Sequence, residues 1–205
     1  MDNDDIKAIG VLNFDALTPI QYDIMGPFCY VPFMECRHSV YSMRHAVNGQ
    51  LLINNQLYDF TDAVGYTEGD RGRSFPSVYA WTQCHFGDNS LMLSAADIPL
   101  GIRHFTGIIG VILLQGKEYR LATYLGAKAR FIGDDGLVIQ QGKYTLSAKL
   151  LHRNAHPLKA PVHGHMTRFI RESPSCTAYY HLQEDHKTLF EFESDRASFE
   201  YEFDS

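Results

Sequence analysis

Long apolar runs, basic clusters and closely spaced cysteines are all missing from this chain, and each absence removes a class of function. The longest apolar stretch, Ile108 to Leu114, is interrupted by Gly110 and falls far short of the roughly 20 residues that a membrane-spanning helix needs. With 24 acidic against 18 basic residues and a net charge of -6, the chain lacks the positive face that displaces counterions from nucleic acid. The cysteines at 29, 36, 84 and 176 show no CxxC spacing, so they read as reduced and mostly buried rather than as a disulfide framework. The start, Met1-Asp-Asn-Asp-Asp-Ile6, is acidic with no apolar segment behind it, unlike a secretory signal; the expected compartment is cytoplasmic. Nowhere does a helical apolar period persist beyond two turns.

What is present is a repeating strand signal. The chain is 45% hydrophobic and 13% aromatic but only 20% charged, which suits one large β domain with a substantial core. Ile6 to Phe14 is a ragged strand. Met25 to Met34 carries Pro27 and Pro32, which exclude a helix or a central strand and predict an irregular crossing segment. Glu35 to Arg44 alternates with charge on both faces. Asn48-Gly49 is the strongest hairpin-turn signal, with a second turn at Asn54-Asn55. Strands follow at Ser90–Ala96, Phe105–Gln115, Tyr119–Tyr124, Ala127–Ile132, Leu137–Gln141, Tyr144–Leu151, His163–Glu172, Thr177–Gln183 and Thr188–Phe203, with Ser173-Pro174 dividing two of them. Roughly a dozen short strands with turns every 8 to 12 residues predict an all-β, antiparallel β-barrel, a form that at about eight strands can enclose one small ligand.

One stretch, Gly65 to Phe86, concentrates the chemistry. From Val78 on it reads as a strand whose Tyr79, Trp81, Gln83 and His85 share one face and whose Ala80, Thr82, Cys84 and Phe86 share the other. Aromatic area with a few hydrogen-bonding tips is what a ligand wall requires, and packed core is the competing reading of the same pattern. Before it, Glu68 and Asp70 stand at i and i+2 on an extended segment, where repulsion between carboxylates raises one pKa. Arg71 and Arg73 are close enough in sequence to pair with them and keep both ionised, stapling a loop.

Met25-Gly-Pro-Phe-Cys-Tyr-Val-Pro-Phe-Met-Glu-Cys-Arg-His38, Gly65-Tyr-Thr-Glu-Gly-Asp-Arg-Gly-Arg-Ser-Phe-Pro76 and Tyr79-Ala-Trp-Thr-Gln83 together resemble the tocopherol cyclase family and its bacterial relatives. The resemblance covers nearly the whole chain. It implies lipocalin-like β-barrels in tandem, with residues 1–65 as the remainder of a first half plus the crossing segment and 66–205 as a lipocalin-like barrel. It also implies closure of a chromanol ring on a prenylated quinol, which needs a carboxylic acid kept protonated by desolvation, aromatic faces for a carbocation and exclusion of water. Glu68 and Asp70 are the expected acids, and Tyr79, Trp81, Gln83, His85 and Arg73 the expected ligand contacts. The sequence departs from the family pattern at Gly69, where Lys is usual, at Arg71, where Trp is usual, and at His85. The family's Phe-Glu-Gly-Trp-Tyr type motif has no counterpart here.

Two other clusters are weaker. His163-Gly-His165, with His152 and His156 nearby, lacks a Cys or carboxylate at ligand spacing, so no metal and no cofactor are expected. Glu35-Cys-Arg-His38 could pair a thiol with a base but shows no third orienting group. Three functions remain open: an isoprenoid cyclase, a carrier of a prenylquinol, carotenoid-like molecule or lipid, and a relative whose interior is filled by its own side chains. An incomplete first half would leave sheet edges that invite a homodimer.

Overall fold

The alternating apolar pattern resolves into thirteen antiparallel strands and two 3₁₀ turns among the described residues. The computed structural model describes residues 6–203 apart from Phe33 and Gly101. Strands β1 (Ala8–Phe14), β2 (Cys36–Ile53) and β3 (Gln56–Gly72) form a small sheet in that order. The second sheet contains β4 (Tyr79–Phe86), β5 (Asn89–Leu100), β6 (Arg103–Leu114), β7 (Lys117–Arg120), β8 (Lys128–Gly133), β9 (Gly136–Gln141), β10 (Tyr144–His152), β11 (His156–Val162), β12 (His165–Glu184) and β13 (Lys187–Glu202). Its order is β7-β6-β5-β4-β13-β12-β10-β9-β8, with β11 also on β12. This is the all-β, antiparallel architecture that the sequence pattern predicts and the lipocalin-like fold that the family resemblance implies.

The large sheet curls around its own core. Leu91, Leu93, Ile108, Ile112, Leu137, Ile139, Tyr180 and Phe199 point into it and are almost fully buried, each contributing about 1.5–3 kcal/mol by leaving water. Tyr180 also bonds to Thr82 (Oη to Oγ1, 2.5 Å). These bulky side chains from β12 and β13 leave room only for small ones on β4. Ala80, Thr82 and Cys84 therefore face inward, and the Tyr79, Trp81, Gln83, His85 face is turned outward, toward the small sheet.

A second core fills the space between the sheets. Val40 and Met43 of β2 meet Met92 of β5 and Val111 of β6, with Tyr66, Trp81, Ile109 and Leu113 packed against them. The crossing segment closes one end, placing Ile24 and Met25 in this core ahead of a 3₁₀ turn, Gly26–Tyr30, with Pro27 at its start. Arg120 of β7 fastens the segment. Its guanidinium lies 3.5 Å from the Tyr22 ring centroid, donates to the carbonyls of Tyr22 and Asp23, and pairs with Glu118 at 2.7 Å.

Several expectations change. Asn48-Gly49 is not a hairpin turn: β2 runs straight through it, and the hairpin turns at Asn54-Asn55, both with positive φ. Gly49 instead lies at a register shift, between Leu12 and Phe60, with a φ of +141° and the Val11 carbonyl 2.1 Å from where a Cβ would stand. Three chains of backbone converge there, and only glycine admits that approach. Ser173-Pro174 does not end a strand, because a register shift between Ser173 and Cys176 carries β12 across it and a bulge needs no N–H from proline. His156–Val162 is a strand that the sequence reading lacked, and the strand expected over Tyr119–Tyr124 stops at Arg120. The small sheet extends to Gly72, and residues 73–78 join it to the large one.

Replacing Gly49 with Ala is expected to destabilise the protein by about 2 kcal/mol or more, whereas the same change at an unstrained strand glycine stabilises by about 0.5–1 kcal/mol. Denaturant melts measure the cost, and hydrogen exchange should show the amides of β1 losing protection first.

Candidate functional site

Alternation along β3 puts Tyr66, Glu68 and Asp70 on the face turned to the large sheet, and register places Asp70 opposite His38 and Glu68 opposite Val40. His38 therefore stands between the two acids. Its Nδ1 lies 3.0 Å from Asp70 Oδ1, and its Nε2 lies 3.0 Å from Glu68 Oε2, close enough for charge attraction but out of line for a hydrogen bond. Burial alone would lower the imidazole's pKa, but the bond to Asp70, the contact with Glu68 and both negative charges push it up to about 10. At neutral pH this is an imidazolium facing two carboxylates. Tyr66 donates to Glu68 Oε2 at 2.5 Å.

Across the gap, β4 presents Tyr79, Trp81, Gln83 and His85. Pairing with β13 sets Glu200 beside Trp81, Ser198 beside Gln83 and Glu202 beside Tyr79. Tyr79 donates to Glu200. Burial raises the Glu200 carboxyl from its ordinary 4.5 to about 7, the Tyr79 bond opposes the shift, and Glu172, Asp70 and Glu68 add to it. Glu200 is thus the carboxylic acid of this cleft that remains substantially protonated near neutrality.

Of the residues expected from sequence, Glu68 and Asp70 on β3 and Tyr79, Trp81, Gln83 and His85 on β4 lie on the facing sides of the two sheets, around the second core. Arg73 stays apart from them: its side chain is exposed and its backbone bonds to Glu35 and Gly164. Arg71 is also exposed and is the register partner of Arg37, on the face opposite Asp70 by strand alternation. Neither arginine pairs with Glu68 or Asp70; His38 does. The loop 73–78 is stapled by Arg168, which donates to the carbonyls of Pro76 and Ser77 at 3.0 and 3.3 Å.

The weaker clusters take definite forms. Cys36 and His38 do converge, both on Asp70. Burial, then the Asp70 charge, holds the thiol well above its ordinary pKa, so it is no thiolate nucleophile. His163 sits with Gly164 in the positive-φ turn between β11 and β12. Among the described residues no group of three or more His, Cys, Asp or Glu is placed to hold a metal.

Sequence reasoning missed Glu200 and Tyr66. Glu200 stands in the alternation Ser198, Glu200, Glu202 against Ala197, Phe199, Tyr201, which reads as a solvated strand face. The available signal was aromatic alternation sustained to the chain's last strand, which marks a sheet interior and hence a defined opposite face.

A carboxyl whose pKa is raised on folding binds more protons in the native state. The Glu200 contribution to stability is therefore fully present below about pH 4.5 and is lost as pH rises through about 7. Glu200→Gln is expected to flatten that part of the stability profile, measured by chemical denaturation between pH 4 and 8. His38 acts in the same sense at higher pH, between about 6.5 and 10.

The crystal structure of kievitone hydratase from Nectria haematococca superposes with a TM-score of 0.58 at 10% identity, covering 98% of this chain and 63% of that one. The present chain thus spans less than two thirds of that protein's length. No curated protein matches it. The model of the tocopherol cyclase-like family matches residues 10–201, nearly the whole sequence, and the chain belongs to that family.

Proposed function

We propose that this chain binds an isoprenoid-type ligand between its two sheets and there protonates an alkene, so that an oxygen nucleophile captures the resulting carbocation. The observation that supports this most directly is Glu200, the register partner of Trp81, whose carboxyl is raised by burial and by the charges of Glu172, Asp70 and Glu68 to a pKa of about 7. The O–H bond of Glu200 breaks as its proton forms a C–H bond with the less substituted alkene carbon. Positive charge develops on the more substituted carbon, where the faces of Trp81, Tyr66 and Tyr79 attract it and the cleft's carboxylates stabilise it. A lone pair of the oxygen nucleophile then forms the C–O bond, and its proton returns to the Glu200 carboxylate.

If the oxygen is the ligand's own phenol, the outcome is ring closure, the reaction in the family's name. If it is water, the outcome is hydration, the reaction in the name of the superposed structure. Both open with the same proton delivery. In this reading Glu68 and Asp70, which the sequence suggested as acids, are the ion-paired partners of His38 and shape the field around the cation, while Glu200 is the general acid.

A carrier that holds its ligand without turnover is the second reading, favoured because the His38 imidazolium occupies two of the acids. Product analysis separates the two. With a prenylated quinol as substrate, the wild-type chain is expected to form the cyclic ether, and Glu200→Gln to lower the rate by about 10²–10⁴-fold. Glu68→Gln should lose less. Saturable binding with no product from the wild type would leave the carrier, and full activity in Glu200→Gln would remove Glu200 from its role.

A further inference from the structure

Like charges set directly opposite each other on a strand pair destabilise it, and β2 and β3 carry such a pair. Arg37 and Arg71 are register partners, both exposed on the face of the small sheet turned away from the large one. Arg73, also exposed, follows two residues later. The chain has 24 acidic residues against 18 basic ones, yet among the described residues none of these three arginines lies within ion-pairing distance of a carboxylate. Glu35, exposed just before β2, pairs with none of them. An anion from outside the chain relieves that repulsion, and the guanidinium fork matches phosphate oxygens.

The surroundings indicate which anion. Arg37 donates to the Val31 carbonyl at 3.2 Å, which places it beside the end of the Gly26–Tyr30 turn. Tyr30 there is 86% exposed, and Val31 is exposed next to it. On the sheet, the exposed Tyr41 ring lies over Gly69, 3.3 Å from where a Cβ would stand. The turn leans on β6 through Phe28 and Phe105, whose ring centroids are 5.9 Å apart. Three residues before Phe105, at the β5–β6 turn, Ile102 is 100% exposed and is followed by exposed Arg103, which also has no carboxylate partner among the described residues. Tyrosines and arginines side by side suit the headgroup level of a bilayer, rings at the boundary and cations on phosphate, and single apolar side chains on turns can enter the acyl boundary. A second copy fits poorly, because a two-fold contact would set arginines against arginines.

We infer that the crossing segment, the β5–β6 turn and the Arg37–Arg71 pair form a docking surface for an anionic phospholipid bilayer. Tyr30 and Ile102 enter the interface, and Arg37, Arg71, Arg73 and Arg103 meet lipid phosphates. The chain lies on the membrane through this surface. Docking brings the segment that closes one end of the space between the sheets to the phase in which an isoprenoid dissolves. That use of the surface rests on the ligand reading above; the surface itself does not.

Co-sedimentation with vesicles tests this. The chain is expected to bind vesicles of phosphatidylglycerol and phosphatidylcholine in equal parts, and neat phosphatidylcholine at least about 10-fold more weakly. Salt at about 1 M, which screens charges beyond about 3 Å, should remove the difference. Each arginine at an anionic leaflet is worth about 5-fold in affinity, so Arg37→Gln combined with Arg71→Gln should weaken binding by about 25-fold. Tyr30→Ser combined with Ile102→Ser should weaken it by about 10-fold. Removing two charges elsewhere, at exposed Lys128 and Lys149 on β8 and β10, should change it by less than about 2-fold. All six side chains are exposed, so the variants keep the fold. No binding to the anionic vesicles, equal binding to neutral ones, or an equal loss from the Lys128 and Lys149 changes would overturn the inference. So would inorganic phosphate binding without vesicle binding, which would assign the arginines to a soluble anion. Dimerisation seen by light scattering and abolished by Tyr30→Ser would give the surface to a second copy. Vesicle binding without turnover of a prenylated quinol removes the cyclase reading alone, and turnover in detergent without vesicle binding removes the docking surface alone.

Discussion

His38 lies between Glu68 and Asp70, and the rest of the cleft depends on that contact. Two carboxylates at i and i+2 on one strand face would repel each other and drive β3 away from the sheet it covers. One imidazolium from the neighbouring strand reverses the sign of the interaction. The β2–β3 register places it there, with His38 opposite Asp70 and Val40 opposite Glu68. In the same stroke it sets Val40 and Met43 against Met92 and Val111, so the apolar contact between the sheets and the polar pairing above it are fixed by one alignment.

That arrangement also explains the properties of Glu200. It is largely withdrawn from solvent, and the charges that act on it, those of Glu172, Asp70 and Glu68, are all negative. What reaches Glu200 is the residual negative charge of the cluster together with the loss of solvent. A carboxyl placed so keeps its proton without any apolar pocket dedicated to it. Division of labour among the acids follows from partner supply: Glu68 and Asp70 share the His38 cation, while Glu200, bonded to Tyr79, has its pKa raised to about 7.

Much of this was legible in the sequence, and the part that was not has a common cause. Period-two alternation separates Tyr79, Trp81, Gln83 and His85 from Ala80, Thr82, Cys84 and Phe86 correctly, but it does not say which face looks inward. That is decided by Tyr180 and Phe199, about a hundred residues away, whose bulk leaves only small side chains room on the inner side of β4. Arg71 and Arg73 looked like partners for Glu68 and Asp70 because they are adjacent in sequence, yet His38, across the strand pair, wins by facing the same side. Asn48-Gly49 carried the turn signal, and its glycine is indeed required, though for close backbone approach rather than reversal. Local chemistry was read well; which surfaces face each other is a long-range property.

The order of strands in the large sheet carries one more consequence. Its two edges, β7 and β8, are consecutive in the chain, joined through the Thr123–Leu125 turn. Gln141 on β9 bridges the junction, accepting from the Ala122 N–H and donating to the Arg120 carbonyl, both at 2.9 Å. The large sheet therefore has a seam, crossed by the Gln141 amide and by the Tyr119 ring of β7 against the Tyr144 ring of β10, centroids 5.7 Å apart. The remaining strands of that sheet are joined by backbone ladders, several of them interrupted by register shifts. Arg120 stands beside the same seam while it grips the crossing segment over the cleft. One arginine thus touches both the seam and the segment that closes one end of the space between the sheets.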